Sequence, residues 1–379
     1  MTTELSEAGH RIMRLPKHSY GKPGETEIID LKIGEPSFAT PPSITEAAIF
    51  AMRGGATHYG DLDGDPDLRA HIAGEFSRRS GENFTAEQVV ITAGSTSGLA
   101  SALTVLVNPG DRVLLLDPTY GAYAEMIALI GAEPVRVPFR ADGHLNLSAV
   151  QEAAATAKLM ILCHPSSPTG VVFTPLELSA LGDVLADTGT LLLADEAYAD
   201  IVYDGTEFHS TVETASLRPR VIVSRTFSKG YAMTGWRLGY LVVPSRLAEA
   251  VRTVYQTSNL TANSAVQKAG LAALREGPAV IAPMVDAYAR RRDLVMDWVR
   301  DTGLVSARVP EATLYVFARY PQDMSSTEMV RHLLSYGVRV QAGVDDGPGG
   351  ENHLRICFAA DVPAVTEGLR RLEKGLSAL

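Results

Sequence analysis

The segment 221-VIVSRTFSKGYAMTGWRLGY-240 begins with a short apolar run at 221–224. The run leads into a turn that carries Lys229, and Arg237 lies eight residues after this lysine. An apolar run without alternation predicts a strand buried on both faces, as in a mainly parallel sheet covered by helices. Similar runs occur at 88–92, 112–117, 158–163, 190–195 and 238–243. Longer helix-like stretches such as 175–188 separate most of these runs. The sequence therefore predicts a three-layer α/β/α domain with a mainly parallel sheet.

A second, smaller unit follows this domain in the chain. Residues 278–301 have the pattern of a long amphipathic helix. Beyond it, strand and helix patterns alternate at 314–320, 326–336, 337–340 and 353–359. We therefore expect a C-terminal α+β domain. The predicted boundaries are 1–45 for an N-terminal arm and part of the small domain, 46–284 for the large domain and 285–379 for the small domain.

Composition limits the classes of function. About 46% of the 379 residues are hydrophobic, and 34 basic against 44 acidic residues give a net charge of −10, which argues against nucleic-acid or anionic-membrane partners. Two cysteines cannot form a disulfide framework, and the chain shows neither a transmembrane-length apolar run nor a signal-peptide core. We expect a cytoplasmic protein that binds a small molecule. Its few lysines are Lys17, Lys22, Lys32, Lys158, Lys229, Lys268 and Lys374.

Ligands of open α/β sheets bind beyond the carboxyl ends of the strands, so the residues that follow each strand are informative. The first strand of the large domain leads into Gly94, Ser95 and Thr96, at a predicted helix start whose N–H groups suit a phosphate. An ordinary helix N-cap is an equal alternative. Tyr120 follows the next strand and either stacks on a flat ring or belongs to the core.

Two charged residues at strand ends point to carbonyl chemistry. Asp195 ends a buried run, where a carboxylate is costly unless a cation meets it, so it is a candidate partner for a protonated ligand nitrogen, with a helix N-cap as the alternative. Lys229 lies among small and aromatic residues, and partial burial would turn it into a nucleophile toward carbonyls. With Arg237 and the aromatic side chain, these are the parts that a pyridoxal 5′-phosphate (PLP) enzyme needs.

The sequence resembles the fold-type I PLP-dependent enzymes of the class I/II aminotransferase family from about residue 28 to 375. The resemblance rests on seven motifs in order, which are 31-LKIGEPSFATP-41, 58-HYGDLDGDPDLRAHIA-73, 117-DPTYGAY-123, 168-PTG-170, 194-ADEAY-198, 226-TFSKGYAMTGWRLGY-240 and 349-GGENHLRICFA-359. It implies transfer of an amino group from an L-amino acid to a 2-oxo acid, with a Schiff base on Lys229 and removal of the Cα proton.

The same resemblance assigns cofactor roles to single residues. Asp195 would pair with the pyridinium nitrogen, Tyr198 would bond the phenolic oxygen of the cofactor, and Tyr120 would stack on its ring. The phosphate would be held by Gly94, Ser95, Thr96, Thr226 and Arg237.

For the substrate, the resemblance assigns the α-carboxylate to Arg355, in a bidentate contact, with the backbone at Gly34 closing over it. It also implies a homodimer with shared active sites, in which Tyr59 reaches the phosphate of the neighbouring subunit.

Three positions depart from the family pattern. Ser167 stands where an asparagine usually bonds the phenolic oxygen of the cofactor. The loop 342–347 contains Asp345 and Asp346 instead of a proline and an aromatic residue. These acids either receive a cationic substrate group or form an exposed acidic turn, which we favour. Residues 312–314 read Ala-Thr-Leu where Gly-Ala-Phe is common, which indicates an altered substrate pocket.

Alternatives remain open at this point. A PLP-dependent lyase, synthase or cyclase of the same fold would share every motif, and the Ser167 position and the changed loop 342–347 are the observations in favour of this alternative. A non-catalytic effector-sensing domain of a transcription regulator would need a DNA-binding domain, and only about 30 residues precede the first motif. Elsewhere, we expect Cys163 and Cys357 in the core, a structural role for His164 and a solvated helix face at 290–292.

Overall fold

The computed structural model describes residues 4–15 and 28–379, so Lys17, Lys22 and part of the predicted arm lie outside the described residues. The helices are α1 (Glu7–Met13), α2 (Pro42–Arg53), α3 (Pro66–Ser80), α4 (Ser95–Leu106), α5 (Ala122–Leu129), α6 (Leu147–Ala154), α7 (Pro175–Thr188), α8 (Ser245–Asn259), α9 (Ser264–Glu276), α10 (Pro278–Thr302), α11 (Ser326–Ser335) and α12 (Val362–Leu376). The strands are β1 (Ile29–Asp30), β2 (Val89–Thr92), β3 (Arg112–Asp117), β4 (Glu133–Pro138), β5 (Leu159–Cys163), β6 (Leu191–Asp195), β7 (Val221–Thr226), β8 (Gly239–Val242), β9 (Ser306–Ala307), β10 (Tyr315–Arg319), β11 (Val338–Arg339), β12 (Gln341–Ala342) and β13 (His353–Cys357).

The central sheet has seven strands in the order β2-β8-β7-β6-β5-β3-β4. Strands β3 to β7 pair in parallel, whereas β8 runs antiparallel to both β7 and β2. Strand β2 therefore points the same way as the parallel strands, and their carboxyl ends meet at one edge. The mainly parallel sheet is confirmed. Sequence patterns missed β4, because this edge strand is largely exposed and contains Pro134 and Arg136.

Burial on both faces explains the continuous apolar runs. In β3, Leu114 and Leu116 pack into the core on one face of the sheet, and Val113 and Leu115 pack into the core on the other. Since successive side chains of a strand alternate between faces, a strand between two helix layers must be apolar at every position. The α/β/α layering follows from this requirement.

The C-terminal part of the chain has a separate hydrophobic core, to which Leu31 near the N-terminus also contributes. It is built on the antiparallel sheet β12-β13-β10-β9 and the parallel pair β1-β11. Helix α10 runs without interruption past residue 284, so the predicted boundary at 284/285 falls inside a helix. The three domain boundaries stay a prediction. Over the described ranges, no helix is both long and apolar enough to cross a membrane.

The prediction of a solvated face at 290–292 is wrong for two of its three arginines. Arg291 and Arg292 are only 6% and 3% exposed. Arg291 donates to the Ala359 carbonyl at 2.7 Å, and Arg292 pairs with Asp204. Three successive residues span about 200° of a helix, so they cannot share one face. The two buried guanidinium groups join α10 to its neighbours.

Candidate active site

A cavity of about 340 Å³ contains most of the predicted site residues. It lies where β3, β5, β6 and β7 end, facing the C-terminal unit. Of the predicted residues, those that line it are Gly34, Ser95, Thr96, Tyr120, Ser167, Asp195, Tyr198, Thr226, Lys229, Arg237 and Arg355. The motifs therefore converge in space although they span most of the chain.

Lys229 lies in the turn after β7, and its side chain donates from Nζ to the carbonyl of Gly34. Burial lowers the pKa of this amine to about 8, helped by the nearby Arg355 cation and opposed by Cys357 and Glu35. A glycine is required at position 34, because a Cβ there would lie 1.8 Å from the Tyr315 hydroxyl. Lys229 thus has the lowered proton affinity of a nucleophile.

Asp195, at the end of β6, is 5% exposed and presents one unsatisfied oxygen. Its Oδ2 accepts a hydrogen bond from the Tyr123 hydroxyl at 2.8 Å, while its Oδ1 is buried with no hydrogen-bond partner among the described residues. Burial raises the pKa of Asp195 to about 6, and the Tyr123 hydrogen bond opposes this rise. A protonated ring nitrogen would satisfy the unpaired oxygen, so the residues present fit PLP.

Tyr123 was not predicted as a site residue. It lies three residues after Tyr120, and both rings line the cavity in edge-to-face contact, with centroids 5.4 Å apart. The i, i+3 spacing after Tyr120 at the start of a helix was the available signal.

The start of α4 forms a cradle suited to a phosphate. Its N-cap residue is Gly94, which has φ +85° and no side chain. Within the described residues, the first N–H groups of α4 therefore have no side-chain cap as hydrogen-bond acceptor. The Arg237 guanidinium packs on Gly94, where a Cβ would lie 2.6 Å from Nη2. Thr226 and Ser228, whose hydroxyls are 2.9 Å apart, complete the cradle. Ser228 also escaped prediction, although it lies directly before Lys229.

Arg355, on β13, forms the opposite end of the cavity. Its guanidinium carbon lies 4.2 Å from the centre of the Tyr315 ring, and its Nη2 donates to the Lys32 carbonyl at 3.2 Å. The Nε atom is buried and has no hydrogen-bond partner within the described ranges. The Tyr198 hydroxyl donates to the Tyr315 hydroxyl at 2.9 Å, which links this end to the strand bearing Asp195. Such an arginine is suited to a carboxylate.

The expected exposed acidic turn at 342–347 is wrong for Asp346. A 3₁₀ turn (Gly343–Asp346) buries Asp346 completely and brings its Oδ1 to 3.5 Å from Arg355 Nη1. The Asp345 side chain is 19% exposed, and its Oδ2 lies 4.0 Å from Lys32 Nζ. Each acid of the turn therefore faces a cation of the protein.

Of the remaining predicted positions, Ser167 lines the cavity, whereas Tyr59 and residues 312–314 do not belong to its described lining. Ser167 lines the cavity and is 3% exposed. Tyr59 is 81% exposed and, in the described part of this single chain, does not line the cavity, so its contact with a second subunit stays a prediction. Residues 312–314 are fully buried and lie outside the described cavity lining.

A buried lysine, a carboxylate with a free oxygen and a helix-start phosphate cradle define the class of PLP-dependent enzymes, and the opposing arginine suits a carboxylate-bearing substrate. The chain matches the family "Aminotransferase class I and II" over residues 26–372 and belongs to that family.

Similar proteins agree with this membership. A putative aminotransferase of Bacillus subtilis is 33% identical over 92% of both chains. An arginine–pyruvate transaminase of Pseudomonas aeruginosa is 32% identical over 91% of this chain and 89% of that protein. The solved aromatic aminotransferase of Pyrococcus horikoshii superposes with a TM-score of 0.91 at 27% identity, covering 98% of this chain and 99% of that one. The family match and these relatives show that the protein is a PLP-dependent aminotransferase, which confirms the predicted class of activity and the predicted cofactor.

Proposed function

We propose that Lys229 is the residue that bonds the cofactor and moves the substrate proton in transfer of an amino group from L-amino acids to 2-oxo acids. The observation that carries this proposal is the cavity itself, in which Lys229, the unpaired Asp195 oxygen and the Arg355 guanidinium face one space. PLP, when bound, supplies an electrophilic carbonyl and an electron-accepting ring. The protein supplies the base, the orientation and the charge compensation.

The buried amine suits Lys229 to both tasks. With a pKa of about 8, about a tenth of the amine is uncharged at pH 7, compared with less than a thousandth for an ordinary lysine, so it can attack a carbonyl and accept a proton. Its hydrogen bond to the Gly34 carbonyl holds Nζ inside the cavity. We assign the Cα proton to this nitrogen, because Lys229 is the cavity-lining amine that follows a strand opposite Asp195.

We assign the cofactor contacts to the groups of the cradle and the strand ends. Asp195, oriented by Tyr123, would receive the ring N–H, and Tyr120 would stack on the ring. The N–H groups at the start of α4 and the Arg237 guanidinium would hold the phosphate, because a helix N-terminus and an arginine both favour an anion. We assign the phenolic oxygen of the cofactor to Tyr198 and Ser167.

The substrate assignments rest on Arg355. Its unpaired Nε and its stacking on Tyr315 leave a guanidinium prepared for a planar anion. Both an amino acid and a 2-oxo acid carry an α-carboxylate, so one arginine serves both half-reactions. Gly34 closes the space beside it, since any larger residue would collide with Tyr315.

We further propose a cytoplasmic homodimer. Large apolar side chains are exposed within residues 50–62, with Phe50 80% and Tyr59 81% exposed, and such a patch is typical of an interface. In that dimer Tyr59 contacts the neighbouring subunit's phosphate. Both cysteines are buried free thiols, which agrees with a reducing compartment.

Single-turnover chemistry tests the reaction. The purified holoenzyme is mixed with one amino acid at a time, without an acceptor, and the products are identified by mass spectrometry. We expect one equivalent of 2-oxo acid per site with a change in cofactor absorption, and a second 2-oxo acid restores the original spectrum. Release of ammonia with ring-closed, eliminated or carbon-extended products would instead establish a lyase, cyclase or synthase.

A further inference from the structure

Two polar residues contact the Arg355 guanidinium: Gln341, which lines the cavity beside it, and Asp346, which lies outside the cavity lining among the described residues. Gln341 lies directly opposite Arg355 in the β12–β13 pairing. Its Oε1 accepts from Arg355 Nη2 at 2.6 Å, and its Nε2 donates to Asp346 Oδ2 at 2.9 Å. The second Asp346 oxygen lies 3.5 Å from Arg355 Nη1. We call Gln341 and Asp346 together the Arg355 support.

We propose that Asp346 is a positioning residue for substrate recognition, because its carboxylate, directly and through Gln341, fixes the Arg355 guanidinium in the orientation that receives the α-carboxylate. This inference rests on the proposed role of Arg355. Asp346 is completely buried and lies outside the cavity lining that the described residues form, so it acts through Arg355 and not on the substrate.

The donor and acceptor pattern of the support allows one arrangement. The guanidinium only donates, the Asp346 carboxylate only accepts, and the Gln341 amide does both. The amide must therefore turn its oxygen to Arg355 and its nitrogen to Asp346. An asparagine at 346 offers one acceptor and one donor, so at least one contact becomes donor against donor.

The backbone holds Asp346 in place from the cofactor side. The Thr119 N–H, next to Tyr120, donates to the Asp346 carbonyl at 2.8 Å. The turn is also tightly packed, because a Cβ at Gly343 would lie 2.1 Å from the Gly350 carbonyl oxygen. The acid is thus anchored to the segment that carries the ring-stacking tyrosine, and the two ends of the cavity share one support.

Charge gives the support a second role. Burial works against the charged form of Arg355, but the Asp346 carboxylate and nearby tyrosines raise its pKa above the usual value. A buried guanidinium without that partner would retain the cost of burial and gain freedom to rotate on a long side chain. The support leaves the Arg355 Nε atom without a hydrogen-bond partner among the described residues.

Asp346→Asn in the full-length holoenzyme tests the proposal. We expect KM for amino acids to rise about tenfold, the size expected when a hydrogen bond to a charged group is lost, and kcat to change less than about twofold. Reaction with an amine that has no α-carboxylate should be unchanged. The matched control is Asp345→Asn, which removes the neighbouring acid of the same turn and should leave all three quantities within about twofold of the original enzyme.

A swapped pair provides the rescue. In Gln341→Glu/Asp346→Asn, the new glutamate accepts from Arg355 and from the asparagine amide, and the asparagine oxygen accepts from Arg355. All contacts and the charge return, so KM should recover to within about threefold of the original value. Gln341→Glu alone places two carboxylates next to each other, so its KM should be higher than that of Asp346→Asn.

Three results would overturn the proposal. The first is an equal change of KM in Asp346→Asn and Asp345→Asn. The second is an equal loss of activity of Asp346→Asn with the amino acid and with the amine. The third is no recovery of KM in a swapped variant that binds the cofactor and has the melting temperature of the original enzyme. Arg355→Lys separates this outcome from failure of the proposed function. If that variant keeps the original KM, Arg355 is not the carboxylate site, and the fault lies with the substrate assignment.

Discussion

The two ends of the active-site cavity differ in how they are built. At the cofactor end, Asp195 and Lys229 follow buried strands, and the phosphate cradle begins a helix, so chain topology alone brings these groups together. At the substrate end, Arg355 depends on a cross-strand glutamine and a buried acid in a short turn. The cofactor end is therefore determined by the order of the strands, whereas the substrate end depends on side-chain contacts among β12, β13 and the turn that follows β12.

The largest test of this comparison removes the central residue of the cofactor end. Lys229→Ala should lower kcat by about 10⁴-fold or more, because one nitrogen serves as nucleophile and proton carrier. Borohydride treatment followed by mass spectrometry should fix the cofactor to the original protein and not to the variant. Lys229→Arg, which keeps the charge without a nucleophilic amine, is the control and should be equally inactive. Substantial activity in either variant would mean that another group bonds the cofactor.

The sequence predicted, for a physical reason, that the residues of the cofactor end lie together. Carboxyl ends of parallel strands share one edge of a sheet, so the strand pattern alone places a motif that follows a strand. This reasoning located Asp195, Lys229 and Ser95 at one cavity. It missed Tyr123, since a tyrosine on the first turn of a helix is equally typical of a core.

The substrate end was predicted less well. Asp346 was expected in an exposed turn, because the sequence of a polar turn does not show that the turn folds against a neighbouring strand. Burial of Asp346 depends on the approach of Gly343 to Gly350 and on pairing of β12 with β13. Likewise, Arg291 and Arg292 are buried by elements distant in sequence, which helical periodicity alone cannot reveal.

The next test uses pH at the cofactor end. With burial lowering the pKa of Lys229 to about 8, the rate at which the cofactor-free enzyme captures PLP should rise with pH and level off above that value. Below it, the rate should fall about tenfold for each pH unit, because only the uncharged amine attacks. Stopped-flow absorbance from pH 6 to 10 measures this rate, and a small amine under the same conditions corrects for titration of PLP itself. A rate still rising steeply at pH 10 would contradict burial of the amine.

A smaller effect is expected from the residue that the sequence missed. Tyr123→Phe removes the hydrogen bond that holds down the pKa of Asp195, so this pKa should rise above about 6 and the carboxylate should be lost sooner as pH falls. We expect kcat to drop about fivefold at pH 6.5 and less at pH 8.5, since one hydrogen bond to a charged group is lost.

Tyr288→Phe is the control for this variant. It removes a buried hydroxyl that has no hydrogen-bond partner in the described part of the chain and packs in the C-terminal core. This change should alter kcat equally at both pH values, if at all. A pH-independent loss in Tyr123→Phe would show that Tyr123 only fills space beside Asp195.

The smallest effect is expected at Ser167, which lines the cavity. Ser167→Asn restores the residue usual in the family, and its longer amide should reach the phenolic oxygen of the cofactor directly. One neutral hydrogen bond changes rates by about threefold, so we expect a shift in the cofactor absorption spectrum and a kcat within that range. Ser167→Ala, which removes the hydroxyl assigned to that oxygen, should shift the spectrum in the opposite direction and by less than Ser167→Asn. A change larger than that of Tyr123→Phe would reverse the ranking, because the residue in the turn after β5 would then influence the cofactor more than the hydrogen bond to Asp195 does. No change in either spectrum or rate would mean that Tyr198 and the strand-end groups suffice, and that the departure at 167 has no part in setting the reaction.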